Sequence, residues 1–108
     1  MVKLENVFDL IAQQDTLETV GPVVDTKNVR VEVIRSIKPN NPQSGWYDQN
    51  EDEFVMVIKG SAELEFQNGA ENQTVQMRGG DYMTIPAHLK HRVTKVSDNT
   101  YWLAVFYK

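Results

Sequence analysis

GDYMTIPAHLKHRV, residues 80–93, holds the punctuation that decides the fold. Gly79-Gly80-Asp81 is a turn signal. Tyr82 to Ile85 is a short β-forming run, and Pro86 stops it because proline cannot donate to a strand ladder. His88 and His91 follow, three apart, where one strand has ended and the next begins. So short a strand between turns belongs to an all-β chain.

The flanking sequence agrees. Residues 54–59 form a β-branched strand that ends at Gly60. In 61–67, Ala62, Leu64 and Phe66 alternate with Glu63 and Glu65. Asn68-Gly69 is a strong hairpin turn, so 61–67 is predicted to pair with 72–78. Residues 91–97 and 100–107 are predicted to form a last hairpin around Asp98-Asn99. Upstream, Val29, Val31 and Val33 alternate with Arg30, Glu32 and Ile34, a period-two strand with one wet face. Residues 38–50 are polar and turn-rich, a loop. Leu4, Val7, Phe8, Leu10 and Ile11 predict a short helix over roughly 4–13, broken by Gly21-Pro22. About seven strands with closely spaced turns point to a sandwich or barrel in one domain, residues 1–108.

Composition narrows the chemistry. The chain has 108 residues, 41% apolar, with net charge −4. That balance argues against nucleic acid, which asks for a basic face. The longest apolar run is far short of a membrane span, and residues 1–11 do not read as a signal peptide. The expectation is a soluble cytoplasmic protein. With no cysteine, disulfides and thiolate metal sites are excluded. No nucleophile motif or phosphate-binding glycine loop is present.

Two segments concentrate the remaining chemistry: GWYDQNEDEFVMVIKG (45–60) and GDYMTIPAHLKHRV (80–93). Glu53 opens a strand that looks buried, an expensive place for a carboxylate without a partner. A metal would supply one, and imidazole with carboxylate suits Fe, Zn, Ni, Cu or Mn. Gln49, Glu51 and Glu53 share strand parity and one possible face. The competing readings are structural: His91 as a hydrogen-bonded core histidine, Glu53 as a salt-bridged strand end with Arg92 or Arg78, Gln49 as a loop hydrogen bonder, and His88 as a solvent-facing turn residue. The acidic run 48–53 reads by default as a solvated loop with one inward member. Met56, Met77 and Met83 read as core fillers, Trp102 and Phe106 as core or dimer interface.

These segments resemble the two motifs of the cupin superfamily. In the first motif, a Gly is followed by His-x-His, then Glu, six residues and Gly; Glu53 and Gly60 keep that last spacing, with Gly45 near the opening. Gln49 and Tyr47, or Asp48 and Trp46, stand where the family has its two histidines. In the second, Gly80, Pro86 and His91 fall in place, while His88 replaces a Gly and Lys95 an Asn. The resemblance extends over residues 29–107. It implies a double-stranded β-helix, a cupin or jelly-roll-like barrel, with a short N-terminal helix. It also implies one divalent ion (Fe, Zn, Ni or Mn) inside the barrel, with Glu53 and His91 as ligands, Gln49 beside them, and Tyr47 or His88 completing the shell.

Two functions stay open on this reading. One is a metal-dependent enzyme acting on a small molecule, of isomerase, decarboxylase, lyase or dioxygenase type, with His88 as acid–base group. The other is a non-catalytic cupin that binds or senses a small molecule. The resemblance also implies a homodimer, formed through a sheet edge or an outer face near Trp102.

Overall fold

The computed structural model describes residues 2–12, 18–37 and 45–108. One helical turn, α1 (Val7–Leu10), precedes eight strands: β1 (Glu18–Asp25), β2 (Val29–Ile37), β3 (Asp52–Lys59), β4 (Ser61–Asn68), β5 (Glu71–Arg78), β6 (Tyr82–Ile85), β7 (His91–Val96) and β8 (Asn99–Tyr107). They form a five-stranded sheet in the order β1-β2-β8-β3-β6 and a three-stranded sheet in the order β5-β4-β7. Every named strand pairing is antiparallel. The all-β jelly-roll expectation is met. Among the described residues no helix is long and apolar enough to cross a membrane.

Alternation builds the core. Along β3, β4 and β8 the inward residues Val55, Val57, Ala62, Leu64, Phe66 and Trp102 are buried, joined by Met77, Ile85 and Val96. Each large member contributes about 1.5–3 kcal/mol by leaving water. Trp102 Nε1 donates to Ser36 Oγ at 3.1 Å, so the indole carries its one polar group into the interior with a partner. Trp102 is therefore core, not outer face.

Chain reversal from β3 to β4 changes sheets at Gly60. Its φ is +97°, and a Cβ there would lie 2.5 Å from the Asn99 carbonyl oxygen. Only glycine fits. The Asn68-Gly69 hairpin is present, with Ser61 opposite Arg78 and Asn68 opposite Glu71.

Three expectations change. The final hairpin does not form: β7 pairs with β4, whereas β8 lies between β2 and β3. The chain crosses between sheets at residues 97–98, where Ser97 Oγ bonds Thr100 Oγ1 and takes the Ser61 amide. The helix is one turn, capped by Asn6, whose side chain accepts from the Phe8 and Asp9 amides; position 13 lies outside the described residues. Third, Glu18–Asp25 is a strand, not only a break. Pro22 sits at the sheet's edge, where its missing donor costs nothing, beside a register shift between Pro22 and Val24.

The wet face of β2 is the consequential surprise. Ile11 and Val33 are buried together, and a Cβ on Gly21 would meet Leu10 and Ile11 at 2.7–3.0 Å. The N-terminal segment thus covers the outside of β1 and β2. The opposite face of β2, with Glu32, Ile34 and Ser36, looks into the barrel.

Candidate metal and ligand site

Glu53 is the second residue of β3 and shares its inward parity with Val55 and Val57, so the strand carries its carboxylate indoors. His91 is the first residue of β7. The two are 7% and 5% exposed. Glu53 Oε1 lies 3.5 Å from His91 Nε2. Residues 38 positions apart thus converge across the barrel.

The imidazole is held from all sides. Its Nδ1 lies 2.9 Å from the Leu89 carbonyl oxygen, which can only accept, so Nδ1 carries a proton and Nε2 faces Glu53. Phe66 stacks on the ring at 5.8 Å between centroids, and Tyr47 lies 5.6 Å away. The backbones of Tyr47 and His91 exchange two hydrogen bonds, 2.8 and 3.2 Å. Burial works against protonation of His91. The hydrogen bond to Glu53, the Leu89 carbonyl and the Glu53 charge outweigh it, so its pKa stands above the ordinary value.

Gln49 Nε2 donates to Glu53 Oε1 at 3.0 Å, and a half-turn of that amide would present its carbonyl oxygen instead. Tyr47 is 40% exposed; partial burial, then Glu18 and Glu53, raise its phenol pKa. So Tyr47, Gln49, Glu53 and His91 are brought together. His88 is not. Its φ is +66°, and its side chain, 64% exposed, is paired outside with Asp48 at 2.8 Å. The physical reason was in the motif: His88 occupies a glycine position, and glycine there signals a left-handed backbone that aims a side chain elsewhere. Glu51, although of matching parity, turns to Arg30 at 3.0 Å. Arg92, offered as a partner for Glu53, bonds Glu65 at 2.8 Å.

A cavity of about 160 Å³ opens above the pair. Its polar lining includes Glu18, Glu32, Tyr47, Gln49, Glu53 and His91. Val55, Leu64, Ile85, Val93, Trp102 and Phe106 are among its apolar walls. Glu18 and Glu32 were missed from sequence, since period two gives the faces of a strand but not which one the N-terminal segment covers. A wider groove of about 670 Å³ lies between that segment and Pro22-Val23. It holds neither histidine nor Glu53, so the chemistry belongs to the smaller cavity.

The donor set fits a divalent cation with open positions. Bonds of about 2.0–2.2 Å at a tetrahedral angle put two ligand atoms roughly 3.4 Å apart, close to the 3.5 Å seen here. The Leu89 carbonyl on Nδ1 supplies the backing that metal-bound imidazoles take. Among the described residues, no three His, Cys, Asp or Glu side chains gather around one point. Among the described residues, the groups beside the pair that could add a donor are the Gln49 amide and the Tyr47 phenol.

The fold and site together describe a small antiparallel β-barrel with a buried carboxylate–imidazole pair under an internal cavity. The particular family is shown by its sequence model: the cupin domain family matches residues 33–106, and the chain belongs to it. No curated protein matches the chain. Among solved structures, a candidate mannose-6-phosphate isomerase of Ralstonia eutropha JMP134 is 34% identical, with 99% of each chain covered and a TM-score of 0.83. A cupin superfamily protein of Desulfitobacterium hafniense DCB-2 is 13% identical over 99% of this chain and 92% of that one, TM-score 0.76. Hydroxypropylphosphonic acid epoxidase of S. wedmorenis is 18% identical over 84% of this chain and 51% of that one, TM-score 0.68. The last two share the fold alone.

Proposed function

We propose that this is a metal-binding cupin that holds one divalent ion, Fe, Zn, Ni or Mn, between Glu53 and His91, and receives a small molecule in the cavity beside it. The observation that carries the reading is the buried 3.5 Å approach of Glu53 Oε1 to a His91 Nε2 whose opposite nitrogen is tied to a carbonyl. Gln49 and Tyr47 are the candidates to complete the shell. When bound, the ion supplies Lewis acidity toward an oxygen of the ligand.

The chain's own groups do the rest. Gln49 steadies the Glu53 carboxylate. Tyr47, where it does not join the shell, is placed to donate a phenol hydrogen bond to the ligand. Trp102, Phe106 and Val55 keep water from the inner wall. Non-redox turnover, of isomerase, decarboxylase or lyase type, suits this oxygen-rich set better than oxygenation. His88 is dropped as the acid–base group, since it stands outside the cavity. Elemental analysis of the purified protein and calorimetric titration with Zn²⁺ or Mn²⁺ test the reading. About one ion per chain is expected, with affinity falling at least tenfold in Glu53→Gln and in His91→Ala. No binding, or unchanged affinity in both variants, contradicts it.

A second reading is a sensing cupin without turnover. It is favoured by the Gln49 hydrogen bond to Glu53 and the 3.5 Å approach of Glu53 to His91, which give the carboxylate protein partners. Stabilisation by a metabolite with no product formed would select it. A homodimer is part of the proposal. The exposed edge of strand β1, where Val24 is 41% exposed, is the sheet edge a second copy would pair with. Light scattering measures it directly.

A further inference from the structure

The polar atoms of the cavity are concentrated in one place. Tyr47, Gln49, Glu53 and His91 gather there, with Gln49 bonded to Glu53 at 3.0 Å and Tyr47 beside the His91 ring. The rest of the lining comes from both sheets. Ile34, Val55, Trp102 and Phe106 belong to the five-stranded sheet, Leu64 and Val93 to the three-stranded one. Ile34 stands opposite Trp102 across β2 and β8, and Leu64 opposite Val93 across β4 and β7. The enclosed space is therefore bounded by two apolar sheet faces. The other polar groups of its described lining are already engaged. Glu32 is held by Arg30 at 3.0 Å, and Ser36 Oγ accepts from Trp102 Nε1 at 3.1 Å. Glu18, which is solvent-exposed, has interactions of its own.

That division sets what the cavity can hold. A hydroxyl buried against valine, leucine and phenylalanine side chains loses its water and gains no partner. A sugar would strand most of its hydroxyls in this way, because only its atoms next to Glu53 and His91 would meet polar groups. Size acts in the same direction. The cavity, about 160 Å³, is comparable to the roughly 150 Å³ apolar cavity that takes up benzene. We infer that the cavity takes a compact apolar molecule of about benzene size that carries its oxygen at one end, the chemistry of a phenol or a small ketone. The oxygen points toward Glu53 and His91, and the body lies between the two sheet faces. A hexose phosphate is excluded by its size and by its hydroxyls. The inference names the ligand class of the site proposed above and rests on that reading.

Titrating the full-length protein with phenol, toluene and mannose 6-phosphate, observed at the Trp102 indole N–H by NMR, tests it. Both chelator-treated and Zn²⁺-loaded protein are used. Toluene is expected to shift that resonance saturably, with the same affinity in both forms, since it has no oxygen to offer. Phenol should also saturate and should gain roughly threefold or more in affinity on Zn²⁺ loading. Mannose 6-phosphate should bind at least about tenfold more weakly than phenol in both forms. Ile34→Phe, which fills the space beside Trp102, should weaken phenol and toluene about tenfold while Zn²⁺ affinity is retained, the retained ion showing that the variant is folded. Mannose 6-phosphate binding as tightly as phenol overturns the inference, as does an unsaturable phenol signal. Phenol affinity that is indifferent to a retained Zn²⁺ ion, or unmoved in ion-retaining Ile34→Phe, overturns it too. Should Ile34→Phe not fold, the order of the three ligands in the parent protein decides. Failure of the metal proposal is read separately, as no retained ion, with the preference for toluene and phenol over the sugar phosphate still measurable in chelator-treated protein.

Discussion

At the scale of the residue, His91 has one nitrogen to offer, because the Leu89 carbonyl holds the other. What occupies the space between Nε2 and Glu53 then depends on pH. Without metal, a proton shared with Glu53 raises the His91 pKa above its unfolded value. The sign follows by linkage: that stabilisation is fully present below the unfolded imidazole pKa, about 6.5, and is lost as pH rises through the raised folded value. A cation needs the deprotonated ring, so its contribution grows in the same direction. The gap in melting temperature between Zn²⁺-loaded and chelated protein should therefore widen from pH 6 to pH 8, and His91→Gln should flatten it. A gap independent of pH would place the ion elsewhere. His88 gives the complementary test. Exposed and paired with Asp48, it should tolerate His88→Ala with metal affinity within about twofold of the parent, measured by calorimetry. The approach of Glu53 to His91 was legible in the sequence because the spacing of the two motifs picks out those two positions. The sequence left His88 open between a site group and a solvent-facing turn residue, because spacing along the chain does not report φ.

Among elements, the strands were mostly readable, and the turns between sheets were not. The Asn68-Gly69 hairpin follows from residues whose backbone freedom fixes a two-residue turn. Asp98-Asn99 looks equally turn-like, yet it separates strands of different sheets, because only contacts distant in sequence decide which strand each joins. Strand β1 was hidden by Gly21-Pro22. The glycine makes room for Leu10 and Ile11, and the proline is tolerated because the strand is an edge. Gly60 is the corner on which the two sheets depend. Gly60→Ala places a Cβ against the Asn99 carbonyl at a positive φ, and about 1–3 kcal/mol of destabilisation is expected. Chemical denaturation measures it; Gly45→Ala, with nothing among the described residues within 4 Å of the new Cβ, is the control that should cost far less.

Across the whole molecule, the barrel solves a packing problem and leaves a chemical one. Two sheets share a core from Val55 to Trp102, and the N-terminal segment closes the outside of β1 and β2. That closure sends the polar face of β2 inward, which is why the cavity is acidic on one wall and apolar on the other. Leu64 belongs to both the core and the cavity lining. Leu64→Ala is expected to cost about 2–5 kcal/mol in a denaturant titration while Zn²⁺ affinity is retained, because the ligand atoms stand on other strands. The most direct measurement is an anomalous difference map at the metal edge from crystals of metal-loaded protein. A single peak within bonding distance of Glu53 Oε1 and His91 Nε2 is predicted. A peak away from both, or that pair still bonded to each other through a proton beside an ion bound elsewhere, would contradict it.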